Sequence, residues 1–130
     1  MFKYSKSSAD KLATCDERLQ RIMNEAIKIH DVTILCGTRG EREQNQAYEN
    51  GFSSVKFPNS KHNSNPSKAV DAALYPIDWK NRERFIYFAG VIKGIAASMG
   101  IKIRCGIDFN QDLNFKNDRL FDGPHFELVD

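Results

Sequence analysis

The sequence is poor in several things a small protein can lean on. It has three cysteines, Cys15, Cys36 and Cys105, an odd number that excludes complete pairing within the chain. None is spaced as in a CxxC or zinc-knuckle motif, so the expectation is free thiols in a reducing compartment. No stretch approaches the roughly 20 apolar residues of a membrane span, so no stable membrane association is expected. The opening MFKYSKSSADK is polar and charged, without the apolar run of a secretory signal; the chain is expected to be made in, and at first to stay in, the cytoplasm. A net charge of +2 is too small to argue for nucleic acid as a partner. Repeats and low-complexity tails are absent too. What is there is ordinary for a globular chain: 130 residues, 41% hydrophobic and 28% charged, enough for one domain with a core that needs no staples.

Residues 8–29 carry Leu12, Leu19, Ile22, Met23, Ala26 and Ile27 at helical spacing and read as one amphipathic helix capped by Ser8. Val32 to Cys36 is a β-branched run, hence a strand. Thr38 or Gly40 starts a second helix that Gly51 ends. Residues 52–67 (FSSVKFPNSKHNSNPS) lose all periodicity and form a loop, long enough to suggest function. A strand over 69–75 follows. A helix capped by Asp78 or Asn81 then runs to Gly100, with a strand over 101–105, a polar loop over 106–120 and a last strand over 126–129. This order suggests an α+β fold, with helices packed on one small, mostly antiparallel sheet.

Of the three histidines, His30 ends the first helix, where an imidazolium suits the dipole and the last carbonyls. His62 sits in the long loop and His125 at the mouth of the last strand. Asp71 lies inside the apolar strand AVDAAL, where a bare carboxylate is costly unless paired or bound to a metal. Two imidazoles and a carboxylate suit a catalytic zinc with one position left for water. The plain alternative is a loop histidine, a hydrogen-bonded strand aspartate and a terminal histidine; spacing does not separate the two. Asp122 stands three residues before His125 in DGPH, a tight turn that lets both side chains face one site. A metal hydrolase needs a base near the attacking water that is not itself a ligand, and Asp122 is a candidate; an ordinary surface turn is the other reading. A non-haem iron centre fits worse, because the H-x-D spacing is missing.

The segments SKH at 60–62, AVD at 69–71 and DGPHFEL at 122–128 resemble the motifs of the zinc D,D- and L,D-peptidases of bacterial cell walls. That group includes VanY-type D-alanyl-D-alanine carboxypeptidases and phage L-alanyl-D-glutamate endopeptidase endolysins. Similarity to the endolysins extends over KSSADKLAT, GTR at 37–39, IDW at 77–79, GIKIRCGIDFN at 100–110 and HFELV. The resemblance implies one catalytic Zn2+ held by His62, Asp71 and His125. It implies Asp122 as general base and Arg39 as the cation that stabilises the oxyanion. It also implies a single catalytic domain over 1–130, acting on peptidoglycan stem peptides; a monomer is the default expectation, since the sequence does not give the oligomeric state. The bond would be L-alanyl-D-glutamate, with D-alanyl-D-alanine, or a catalytically impaired wall-binding module, as alternatives. Such an enzyme is made in the host cytoplasm and reaches the wall after the membrane is breached.

One departure stands out. The pattern has six residues between its first histidine and its aspartate; here residues 63–70 (NSNPSKAV) make eight, with Ser67 in the place of the usual glycine. Two extra loop residues cost little closure entropy, so the insertion should be absorbed before Ala69. Ser60 is expected to bind substrate or to orient the loop. Asp108, Phe109 and Tyr75 are candidates for the cleft wall, with Asp108 expected to bind substrate. Trp79 is expected in the core or an interface. Glu127 either points away from the site or steadies His125.

Overall fold

The computed structural model describes residues 1–108, 111, 113 and 122–129. Helices α1 (Lys6–Leu12), α2 (Glu17–Ile29), α3 (Glu41–Glu49) and α4 (Arg82–Ser98) accompany strands β1 (Val32–Cys36), β2 (Ala69–Leu74), β3 (Ile103–Cys105) and β4 (His125–Leu128). The strands form one sheet in the order β1-β2-β4-β3, and every neighbouring pair is antiparallel. The α+β expectation is met. Phe109 and most of the expected 106–120 loop lie outside the described residues.

The expected 8–29 helix is two helices. Ser5, not Ser8, caps α1, its hydroxyl accepting from the Ser8 amide, and Asp16 caps α2 by accepting from the Arg18 amide at 2.9 Å. The chain breaks between them because the backbone there is used elsewhere. Ser67 donates its amide to Thr14 O at 2.9 Å, and Asp16 donates to Ser67 O at 2.8 Å. The Ser8 hydroxyl is buried and accepts from the Ile34 amide at 3.0 Å, tying α1 to β1. Asn81 caps α4, and Gly51 and Gly100 follow α3 and α4 with φ of 78° and 70°, backbone that other residues adopt at a cost.

Strand alternation divides the sheet into two faces. Val70, Ala72, Phe126 and Leu128 point to one face, where α2 and α4 cover them with Leu19, Ile22, Met23, Phe88 and Ile92. The Phe88 and Phe126 rings meet edge to face, with centroids 5.8 Å apart. Each such fully buried side chain contributes about 1.5–3 kcal/mol relative to exposure. The opposite face carries the cross-strand pair Asp71 and His125, followed by Ala69 and Glu127. The polar residues of β2 and β4 thus share the face turned away from the helices.

Candidate active site

That face floors a cleft of about 1100 Å³ lined by Arg39, Ser60, His62, Asp71, Asp122, His125 and Glu127, among others. The cross-strand register sets Asp71 beside His125, with Nδ1 of His125 3.2 Å from Oδ1 of Asp71. His62 reaches the same oxygen from the long loop, Nε2 at 3.1 Å. Its placement is local. Residues Lys61–Asn63 form a 3-10 turn capped by Ser60, whose hydroxyl accepts from the His62 amide while its own amide donates to Asn63 Oδ1. Ser60 therefore orients His62, and it also lines the cleft.

The longer spacer leaves this geometry in place. The Lys68 amide returns to Lys61 O at 3.0 Å, so the chain between them closes into an excursion, with Asn65 and Pro66 exposed at its tip. Ser67 is buried and bonded to Thr14 and Asp16, and Ala69 begins β2 in register. The insertion is absorbed before Ala69, as expected.

Both imidazoles are steadied at the nitrogen that faces away from Asp71. His62 Nδ1–H donates to Gly37 O at 2.7 Å, and His125 Nε2–H donates to Glu127 Oε1 at 2.8 Å. Glu127 in turn accepts from Arg104 Nη2 at 2.8 Å. Of the two orientations open to Glu127, it takes the one that holds His125. An anchored distal nitrogen and a convergent proximal one is the arrangement of metal-ligating histidines. A tetrahedral ion with bonds of about 2.0–2.1 Å sets neighbouring donor atoms about 3.3 Å apart. The observed 3.1 and 3.2 Å fit two of the three edges of such a site, while the His62 and His125 nitrogens fall in separate donor groups that share Asp71. Among the described residues, two groups have donor atoms close enough to hold a metal ion: Cys36, His62 and Asp71, and Asp71, Asp122 and His125.

The charges reinforce one another. Burial works against protonating His62, but its hydrogen bond to Asp71 outweighs this and raises the pKa to about 10. His125 is likewise opposed by burial and raised to about 9 by Asp71 and Glu127. Burial pushes Asp71 up, yet the two imidazoles hold it well below the usual carboxylate range. Glu127, also resisted by burial, is lowered to about 2 by His125 and Arg104. Asp122 is raised, by burial and then by the Asp71 charge. Its side chain is 44% exposed, and its Oδ2 stands 3.9 Å from His125 Nδ1.

The Asp122–His125 turn rests on Gly106. The Asp122 amide donates to Gly106 O at 2.9 Å, and the Gly106 amide donates to His125 O at 2.7 Å. A Cβ at Gly106 would stand 2.0 Å from the Asp122 carbonyl oxygen, so any side chain there displaces the turn. Gly37 is as tightly placed, its Cβ position 2.4 Å from Lys11 O.

Arg39 points into the cleft with Nη2 3.7 Å from Asp71 Oδ2. It is held by Gln44, whose Oε1 accepts from Nη1 at 3.0 Å. Gln44 is fully buried and is a hub that sequence reasoning missed: its amide also donates to Ser53 Oγ and Val55 O. Its sign was a glutamine five residues after the arginine in a helix with almost no apolar residue. Asp108 is not brought to the cleft. It is buried, Oδ2 accepting from the Leu113 amide at 2.9 Å, because a carboxylate here can satisfy a turn amide. Tyr75 is exposed and outside the cleft lining. Of the two places expected for Trp79, the core is excluded: 62% exposed, it stacks on Phe85 at 5.7 Å at the cleft wall. His30 bonds Tyr87 Oη at 2.7 Å, away from the site.

Comparison with known proteins adds the family. The model described as phage L-alanyl-D-glutamate peptidase matches residues 1–129. The L-alanyl-D-glutamate peptidase of Escherichia phage T5 is 34% identical over 137 aligned positions, covering 98% of each chain. The fold matches the crystal structure of the L-Ala D-Glu endopeptidase ChiX of Serratia marcescens with a TM-score of 0.76 and 22% identity, over 99% of this chain and 90% of that one. With one family model spanning nearly every residue and a relative aligned end to end, the chain belongs to the phage L-alanyl-D-glutamate peptidase family.

Proposed function

We propose that the protein is a zinc-dependent phage lysis enzyme that hydrolyses the L-alanyl-D-glutamate bond of peptidoglycan stem peptides, acting as a monomeric single domain. The observation that carries the reading is the convergence of His62 Nε2 and His125 Nδ1 on one oxygen of Asp71, with both distal nitrogens anchored. His62, Asp71 and His125 would hold the ion. When bound, zinc supplies Lewis acidity and a water that ionises near neutral pH.

The remaining work falls to this chain's side chains. Asp122, close to His125 but outside the three-ligand set, takes the proton of the attacking water and later hands it to the leaving amine. Burial and the Asp71 charge raise its pKa, which favours the first step by making it a better proton acceptor. Arg39, held by Gln44 and directed at Asp71, offers a guanidinium to the scissile carbonyl as negative charge develops on its oxygen. Glu127 keeps the His125 ring in the tautomer that presents Nδ1. As a lysis enzyme, the protein meets its substrate after the host membrane is breached.

The test is digestion of purified peptidoglycan by zinc-loaded and chelator-stripped protein, with fragments identified by mass spectrometry. New L-alanine carboxyl termini and D-glutamate amino termini, in the loaded sample alone, are expected. Release of free D-alanine instead would assign a carboxypeptidase. Bound zinc with no cleavage would leave a wall-binding module.

A further inference from the structure

Strand β1 pairs regularly with β2 through Ile34 and Ala72, and then the register slips by one residue so that Cys36 stands opposite Asp71. Without this bulge, Leu35 would face Asp71 and Cys36 would face Val70, on the helix-covered side of the sheet. Bulges beside active sites re-aim side chains, and this one turns a thiol out of the core into the cleft. The Cys36 Sγ, a ring nitrogen of His62 and an oxygen of Asp71 all lie within 4.8 Å of one another. Arg39 Nη2 donates to the same sulfur at 3.5 Å, a neighbour that suits an anionic sulfur. The other two cysteines are buried in the hydrophobic core.

We propose that Cys36 is a metal-ligating thiol, which with His62 and Asp71 gives the cleft a donor set for a thiophilic divalent cation. The inference rests on the reading that His62 and Asp71 hold a metal. It adds a donor that the family resemblance did not supply. On ligation the thiol proton leaves to solvent and the sulfur lone pair forms the new bond; no atom changes oxidation state. A sulfur donor biases the centre toward zinc-like ions over magnesium or calcium, which prefer oxygen. It also competes with water for the position that three protein ligands leave open.

The experiment titrates cobalt(II) into the full-length chain and records the near-ultraviolet sulfur-to-cobalt charge-transfer band. Wild type is expected to bind one equivalent with the band, and Cys36→Ser to bind one equivalent without it. Cys36→Ala serves if the serine variant does not fold. In parallel, one equivalent of zinc should slow iodoacetamide labelling of Cys36, read by peptide mass spectrometry, by about tenfold or more, since a coordinated thiolate is no longer a free nucleophile. Cobalt bound by wild type without the band, a band that survives in Cys36→Ser, or labelling unchanged by zinc overturns the role of Cys36 and leaves the metal centre standing. No cobalt bound by either protein overturns the metal centre itself and the proposal with it.

Discussion

Zinc binding should be steeply pH-dependent well above neutrality, and the site geometry gives the slope. In the metal-free protein His62 titrates at about 10 and His125 at about 9, because each donates to Asp71. At neutral pH both rings are therefore imidazolium. A metal requires the nitrogens that face Asp71 to be bare, so each zinc displaces about two protons from the rings, besides the thiol proton where Cys36 ligates. Affinity should then climb at least about 100-fold per pH unit below pH 9 from the rings alone, equivalent to about 2.7 kcal/mol, at about 1.36 kcal/mol per proton. Between the two pKa values the slope falls to about tenfold, and it flattens above the higher one. Histidines with an ordinary pKa of about 6.5 would give a curve already flat by about pH 7.5. Chelator competition at intervals between about pH 7.5 and 8.5 separates the cases, and calorimetry in buffers of different ionisation enthalpy counts the protons. Constant affinity across that interval, with no proton release, would refute the coupling of both rings to Asp71.

The same raised pKa values bear on stability. Contacts between the two imidazoliums and Asp71 stabilise the metal-free fold fully below the unfolded histidine pKa of about 6.5 and are lost as pH rises through 9 to 10. Thermal melts of chelated protein should thus show a lower Tm at alkaline than at neutral pH. Asp122→Ala should keep zinc and lose about 10²–10⁴ in turnover, whereas His125→Ala should lose zinc itself; a near-normal rate for Asp122→Ala would remove the base assignment. Glu127→Gln should weaken zinc binding by about 10–100-fold, measured by the same competition, because His125 Nε2–H then meets a neutral amide in place of a carboxylate. Gly106→Ala should lower both Tm and zinc affinity although no ligand changes, since its Cβ collides with the Asp122 carbonyl 2.0 Å away.

Much of the fold was legible because its signals are local. The β-branched run at 32–36, the alternation around Asp71 and the glycines after α3 and α4 each report on their own neighbourhood. The one misread helix shows the limit. Residues 8–29 keep helical periodicity across the break, so nothing in the pattern reveals that Cys15 bridges Ser67. That pairing is long-range in sequence, and it takes the Thr14 carbonyl and the Asp16 amide that a continuous helix would have used. Asp108 is ambiguous in sequence for a related reason. A carboxylate beside a cleft motif has the same composition whether it faces substrate or caps a turn, and here it meets the Leu113 amide.

The site divides along the same line. Its candidate ligands stand out because metal chemistry restricts residue type so severely, and two histidines and one strand aspartate meet that restriction in a chain with only three histidines. The residues that hold those groups were less visible, because glutamine, glutamate, glycine and cysteine are common and their roles depend on geometry. Gln44 matters because Arg39, Asn63 and Val55 converge on its amide, and Cys36 because one bulge sets it opposite Asp71. The long loop shows why such supports decide the outcome. Its spacer can grow by two residues because His62 is placed by three contacts at its own turn: the Ser60 cap, the Gly37 carbonyl and the Arg39 amide. The excursion beyond it closes where Lys68 meets Lys61, so extra length there never reaches the imidazole. The position of His62 is thus set by the contacts at its own turn, and the count of residues between it and Asp71 is free to vary.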